Sequence, residues 1–301
     1  MKFLVTGVAG FMGSNICLRI LNKGHEVIGL DNLSTGSKSN MLEFMYNPLF
    51  HFIIHDMTES FPAANVDFII HCAFPDLKDP LHYLKTCSYG TFNVAGMARR
   101  NNAKLICITG DRIYGSNLAS NVSEDVPYII NPTDAIGTGM QIMESILNNY
   151  KTLDIRILRV FNSYGPKMEK KSFIGSLMKS IMTKKKIDIP FNPKTPINFC
   201  FVDDIIDGVS CAMDLDKFGS PINLGSENNI LLGDFVNLVI KESKSKCKVS
   251  YAPSLGAEDL GIIPNVDKAK KLLHWKQKID YPKGIKIYIE YLKQGRNKYL
   301  D

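Results

Sequence analysis

The chain has one tryptophan, six histidines and seven cysteines in 301 residues, and no two of the cysteines form a Cys-x-x-Cys pair. Without that pair, or a histidine at metal-ligand spacing, the composition argues against a zinc site. Most of the cysteines lie in apolar runs, as Cys107 does in Leu-Ile-Cys-Ile and Cys200 in Asn-Phe-Cys-Phe. They read as buried thiols in a reducing compartment. No apolar run approaches the roughly 20 residues that a membrane-spanning helix needs. The N-terminus enters a strand directly, with no charged-then-apolar leader, so a cytoplasmic location is expected. Excess charge is also small: the net charge is +6, and the lysines are scattered apart from Lys184–Lys186 and the Lys167–Lys171 stretch. Short clusters of this kind read as solvated surface, so neither nucleic acid nor membrane is expected as a partner.

What is present is alternation. Short β-branched runs and helical patterns succeed one another through the first half, the signature of a parallel sheet with crossover helices. Strands are predicted at Lys2–Thr6, Glu26–Leu30, Phe50–His55, Val66–His71, Lys104–Thr109 and Asp154–Val160. Helices are predicted at Ser14–Lys23, ending at Gly24, at about Tyr89–Arg100 and at Thr138–Tyr150. After Pro166 the alternation weakens, with helices expected at Ser172–Thr183, Asp204–Met213 and Leu232–Lys244, and from Tyr281 onward. The expected fold is α/β, a Rossmann-type doubly wound parallel sheet with a smaller C-terminal substrate lobe. Residues 1–165 form the first unit, with 197–225 returning to it, and 166–196 and 226–301 form the lobe.

The first strand runs into Thr6-Gly7-Val8-Ala9-Gly10-Phe11-Met12-Gly13, and a helix follows. Glycines at this spacing make a tight turn, admit a pyrophosphate close to the backbone and let helix pack on strand. The helix N-terminus offers free N–H groups and the positive end of its dipole. Asp31 ends the second strand about twenty residues on, where its carboxylate can accept hydrogen bonds from ribose hydroxyls and repel a 2′-phosphate. No arginine follows it closely, so NAD is the expected cofactor. Asp56, after the third strand, is either an adenine contact or a turn residue. The cofactor residues expected are Gly7, Ala9, Gly10, Phe11, Met12, Gly13, Asp31, Asn32, Asp56, Met57 and Ala73.

These motifs resemble the extended short-chain dehydrogenase/reductase family, within it the nucleotide-sugar epimerases, dehydratases and decarboxylases. The resemblance also rests on Asp31-Asn32-Leu33-Ser34-Thr35-Gly36, His71-Cys72-Ala73, Gly90-Thr91-Phe92-Asn93 and Ile113-Tyr114-Gly115. It continues through Arg159-Val160-Phe161-Asn162-Ser163-Tyr164-Gly165-Pro166, Phe201-Val202-Asp203-Asp204, Asn223-Leu224-Gly225 and the segment from Asp267 to Trp275. It implies NAD, a nucleotide-sugar substrate and transient oxidation of a sugar hydroxyl. It also implies a homodimer, formed through the Tyr89–Arg100 and Thr138–Tyr150 helices.

The family's reaction uses a tyrosinate base, activated by a lysine four residues later on the same helix face, and a hydroxyl residue at the end of strand five. With Pro132 and Glu144 as anchors, those positions hold Ile136, Met140 and Gly110, and none of the twelve tyrosines has a lysine four residues later. Loss of a general base typically costs roughly 10²–10⁴ in rate. Asp111, at the tip where related dehydratases place acidic residues, is the candidate substitute base, the other reading being a loop carboxylate beside Arg112. Thr109 is a second catalytic candidate, one place before Gly110. The arginines with which relatives clamp a diphosphate are replaced by Pro196-Ile197-Asn198 and by the Leu260–Asn265 run, while Asn162 remains as a substrate contact. Three functions stay open: an enzyme with a rearranged base, a non-catalytic NAD-binding protein, and a subunit that pairs with an active relative.

Overall fold

The computed structural model describes residues 1–61, 64–75, 79–115, 121–127, 134–169, 171–215, 219–252 and 262–295. In chain order the first half comprises β1 (Lys2–Thr6), α1 (Phe11–Asn22), β2 (Glu26–Asp31), β3 (Phe50–Ile54) and β4 (Phe68–His71). α2 (Pro80–Lys85), α3 (Thr91–Asn101), β5 (Lys104–Gly110), α4 (Ala135–Asn148) and β6 (Ile155–Val160) follow. The second half comprises β7 (Ser163–Tyr164), α5 (Phe173–Thr183), β8 (Lys186–Ile189), β9 (Pro196–Ile197), β10 (Cys200–Phe201) and α6 (Val202–Asp214). The last elements are β11 (Ile222–Leu224), β12 (Ile230–Leu231), α7 (Leu232–Ser243), β13 (Lys248–Tyr251), α8 (Asp267–Leu273) and α9 (Tyr281–Gly295).

Seven strands form one sheet in the order β11-β6-β5-β4-β1-β2-β3, every pair parallel. Helices cover both faces, which is why the central strands read as nearly continuous apolar runs. Phe3, Val5, Ile70, Ile106 and Ile108 point to the face packed by α1 and α6, while Leu4, Ile69, Leu105 and Cys107 point to the face packed by α3 and α4. Each fully buried aliphatic side chain contributes about 1.5–3 kcal/mol. A separate core under the second half joins α5, α7 and α9 through Ile174, Phe235, Tyr164 and Ile285.

Most predicted elements appear within a few residues of their expected bounds, and the differences have local causes. Lys23 closes α1, and Gly24 follows it at φ +77°, a conformation that glycine adopts without a Cβ penalty. α4 starts at Ala135 rather than Thr138 because the Asp134 side chain accepts hydrogen bonds from the backbone N–H groups of Ile136 and Gly137. The expected Tyr89–Arg100 helix is the end of a longer run, in which a π-helical turn (Thr86–Gly90) joins α2 to α3. In the second half, α6 begins at Val202, two residues ahead of the expected Asp204. Sequence periodicity missed the two-residue strands and the parallel β8–β13 pair, which are too short to carry a pattern.

Candidate cofactor and substrate site

The cofactor loop is built on close backbone contacts. Gly7 has φ +68°, and a Cβ there would stand 2.7 Å from the Cys72 carbonyl oxygen. A Cβ on Gly13 would overlap the Gly7 carbonyl where α1 begins. The Asp31 carboxylate, at the tip of β2, accepts hydrogen bonds from the backbone N–H of Ala9 (2.9 Å) and Leu33 (2.8 Å). Burial raises the Asp31 carboxyl above its ordinary range, while those two N–H groups favour its charged form. Asn32 donates to Asp56 at 3.1 Å, and Asp56 also accepts from the Thr58 N–H and hydroxyl. Burial pushes Asp56 up, but these donors hold it below the ordinary carboxylate range.

One cleft brings Gly7, Gly10, Phe11, Met12, Asp31, Asn32, Met57 and Ala73 together. Of the other expected cofactor residues, Ala9 and Gly13 stand behind the loop and Asp56 is joined to the cleft through Asn32. The cleft also takes in residues that the sequence did not single out as ligands, among them Ser34, Phe74, Thr86 and Glu169. Thr86 is informative: it is 6% exposed, and its hydroxyl has no hydrogen-bond partner. A buried hydroxyl left unpaired costs roughly 1–3 kcal/mol, so a ligand that supplies the partner is favoured. The glycine cradle, the Asp31 carboxylate at the β2 tip and this hydroxyl together fit a dinucleotide. No sequence signal marks Thr86, because the π-helical turn alone carries it into the cleft.

At the tip of β5, Gly110 lies against Met140 of α4, and Ile136 packs on the apolar cluster that contains Met140. A Cβ added to Gly110 would lie 3.1 Å from Met140 Cε and 3.5 Å from its sulfur, so the methionine covers the space above the glycine. Ile136 lies half-buried one turn earlier on α4. Thr109 faces α4 as well, where its hydroxyl donates to Glu144 at 2.8 Å. Glu144 in turn pairs with Arg159 at 2.7 Å, and Arg159 donates to the Tyr114 hydroxyl, which donates to Asn223. This wholly buried network ties α4, β6 and β11 to the β5 tip. Asp111 opens a 3₁₀ turn there (Asp111–Tyr114) and is 9% exposed. Burial raises its pKa to about 6, against Arg112 and the N–H groups of residues 111 and 112, with Asp134 adding to the rise.

On the substrate side, Asn162 is exposed, and its backbone carbonyl accepts from the Cys200 N–H. Asn198 is consumed by the 226–229 loop, to which its amide donates. Lys167 turns away to pair with Glu43 at 2.8 Å, and Lys171 is exposed. Pro132, Leu260 and Gly261 lie outside the described residues. Among the described residues no group of His, Cys, Asp and Glu is arranged to hold a metal ion, and no helix is long and apolar enough to cross a membrane.

The model of the NAD dependent epimerase/dehydratase family matches residues 3–225. The chain belongs to that family, and NAD is the family's cofactor. It is 28% identical to UDP-glucuronic acid decarboxylase 4 of Arabidopsis thaliana over 309 residues, covering 98% of this chain and 69% of that one. UDP-glucuronic acid decarboxylase 6 of the same plant is also 28% identical, over 96% of this chain and 88% of its own length. Among solved structures, UDP-glucuronic acid 4-epimerase from Bacillus cereus in complex with UDP-glucuronic acid and NAD superposes with a TM-score of 0.85 at 25% identity, covering 98% of this chain and 99% of the other.

Proposed function

We propose that the chain is an NAD-dependent enzyme acting on a UDP-linked sugar, with Asp111 rather than a tyrosinate as proton acceptor. The observation that carries this reading is the placement of a buried carboxylate, with a pKa raised to about 6, at the tip of β5 beside Gly110. A general base works best when its pKa lies near the working pH. When bound, NAD supplies the hydride-accepting ring that the oxidation of a carbinol requires. The Asp31 carboxylate orients the adenosine ribose, the glycine loop admits the pyrophosphate, and Thr86 donates to the bound dinucleotide. Asp111 takes the hydroxyl proton, while Arg112, 3.2 Å from Asp134, stands next to it as a counter-charge. Asn162 is the contact proposed for the sugar or its diphosphate.

A second reading is supported by the apolar packing of Met140 over Gly110, on the expectation that Ile136, Met140 and Gly110 stand where the family carries its catalytic groups. On that reading the chain binds NAD without turnover, as a sensor or as the partner of an active relative. The deciding experiment adds a panel of UDP-sugars to NAD-loaded protein and follows both the reduced-cofactor absorbance and the sugar products. Altered sugar or reduced cofactor supports the enzyme. Retained NAD with neither change, across the panel, refutes it in favour of the second reading.

We further propose a homodimer through α3 and α4. Tyr89 and Phe92 are 60% and 50% exposed, and an open groove runs along Phe92, Ile146 and Tyr150. The buried thiols among the seven free cysteines support a reducing, cytoplasmic setting.

A further inference from the structure

Two chain segments flank the glycine loop, and both reach the cofactor cleft. Residues 32–44 follow β2, and Ser34 and Thr35 from this stretch line the cleft. Residues 165–169 follow β7, and the exposed Glu169 lines the same cleft. Each segment is tied down beside the loop. The Ser37 N–H (3.0 Å) and the Asn40 side-chain amide (2.8 Å) both donate to the Ala9 carbonyl. Asn15, in α1, donates to the Pro166 carbonyl at 3.1 Å.

A side-chain contact then joins the two segments to each other. Lys167 has φ +68°, a left-handed conformation that a residue with a Cβ adopts at a cost. Its side chain is 3% exposed, with the ammonium 2.8 Å from the Glu43 carboxylate and 5.3 Å from the centre of the Phe44 ring. Lysine is among the residues that proteins bury least, and the ring face favours its charge. The contact with Glu43 is ionic, without the alignment of a hydrogen bond. The segments that carry Ser34 and Glu169 can therefore move apart only when this pair parts.

We infer that Lys167 and Glu43 form a clasp across the two segments, and that its opening governs how fast the dinucleotide enters and leaves the cleft. The clasp positions the segments and is not itself a cofactor contact. A contact that holds them equally with and without cofactor slows both directions and leaves the affinity unchanged. The inference concerns cofactor exchange and holds whether or not the chain turns over a sugar.

The test is stopped-flow fluorescence with NADH, which reads entry on mixing with cofactor-free protein and release on chasing loaded protein with excess NAD. Lys167→Met keeps an apolar stem against Phe44 and leaves Glu43 in water. Glu43 is more than half exposed and screened by solvent, so the effect is modest. Entry and release are expected to speed up together by about threefold to fivefold, with the dissociation constant within about twofold of wild type. Glu43→Gln is expected to do the same, and the double variant to be no faster than either single one, because each removes the same contact. Raised salt should speed exchange in the wild type and not in the variants. Unchanged rates in both single variants overturn the inference. A weaker affinity carried by release alone also overturns it, since Lys167 would then shape the site instead of closing it. A wild-type protein that binds no NADH removes the cofactor assignment and the clasp together.

Discussion

Replacing Asp111 by asparagine separates its proposed chemistry from its effect on stability. The fold raises this carboxyl from its ordinary 3.8 to about 6, which corresponds to about 3 kcal/mol of unfavourable interaction with the charged form. Well below pH 3.8 the group is protonated in both states and contributes nothing. Between pH 4 and 6 the unfolded chain ionises first, so the native state loses stability, and above pH 6 the penalty is complete. Asparagine keeps an acceptor oxygen for the N–H groups of residues 111 and 112 but cannot ionise. Asp111→Asn should therefore melt at nearly the wild-type temperature at pH 4 and about 4–6 °C higher above pH 6.5. Turnover of the UDP-sugar should fall by roughly 10²–10⁴, and the wild-type rate should rise with pH through about 6. Paired melting curves across pH, with initial rates on the same samples, read both effects. Unchanged turnover in the variant would remove Asp111 as the base. A melting difference that stays constant with pH would refute the burial argument.

Asp31→Asn keeps the size of the residue but removes the charge that draws two N–H groups and the ribose; NAD affinity should fall about 10- to 100-fold, and discrimination against NADP should weaken, by competitive titration. Glu144→Ala leaves the Arg159 guanidinium buried without its carboxylate, and the expected loss of about 3–5 kcal/mol should appear as a shifted denaturation midpoint. Phe92→Lys places a charge on the exposed face of α3; light scattering should show the proposed dimer becoming a monomer, and a mass that does not change would count against that interface.

The cofactor half was largely legible because its signals are local. The glycine spacing, the strand before it and the helix after it are all carried by neighbouring residues, and Asp31 lies at the end of the adjacent strand. The identities Ile136, Met140 and Gly110 could be read from the chain directly. What those positions do to one another could not. That Met140 covers Gly110 depends on how α4 lies against β5, and that Thr109 serves Glu144 depends on which face of β5 it occupies. Thr86 was missed because its approach to the cleft comes from a π-helical turn, for which no residue pattern is diagnostic.

The sequence by itself determined the parallel sheet, the dinucleotide loop with its acidic partner, and the absence of the tyrosine–lysine pair. These follow from periodicity, glycine stereochemistry and side-chain identity, which need no knowledge of distant contacts. Only the tertiary structure decided that burial raises the Asp111 carboxyl to about 6, that Arg159 and Glu144 pair inside the protein, and that Met140 packs over Gly110. Desolvation and side-chain packing are properties of what surrounds a group, and residues far apart in the chain supply those surroundings.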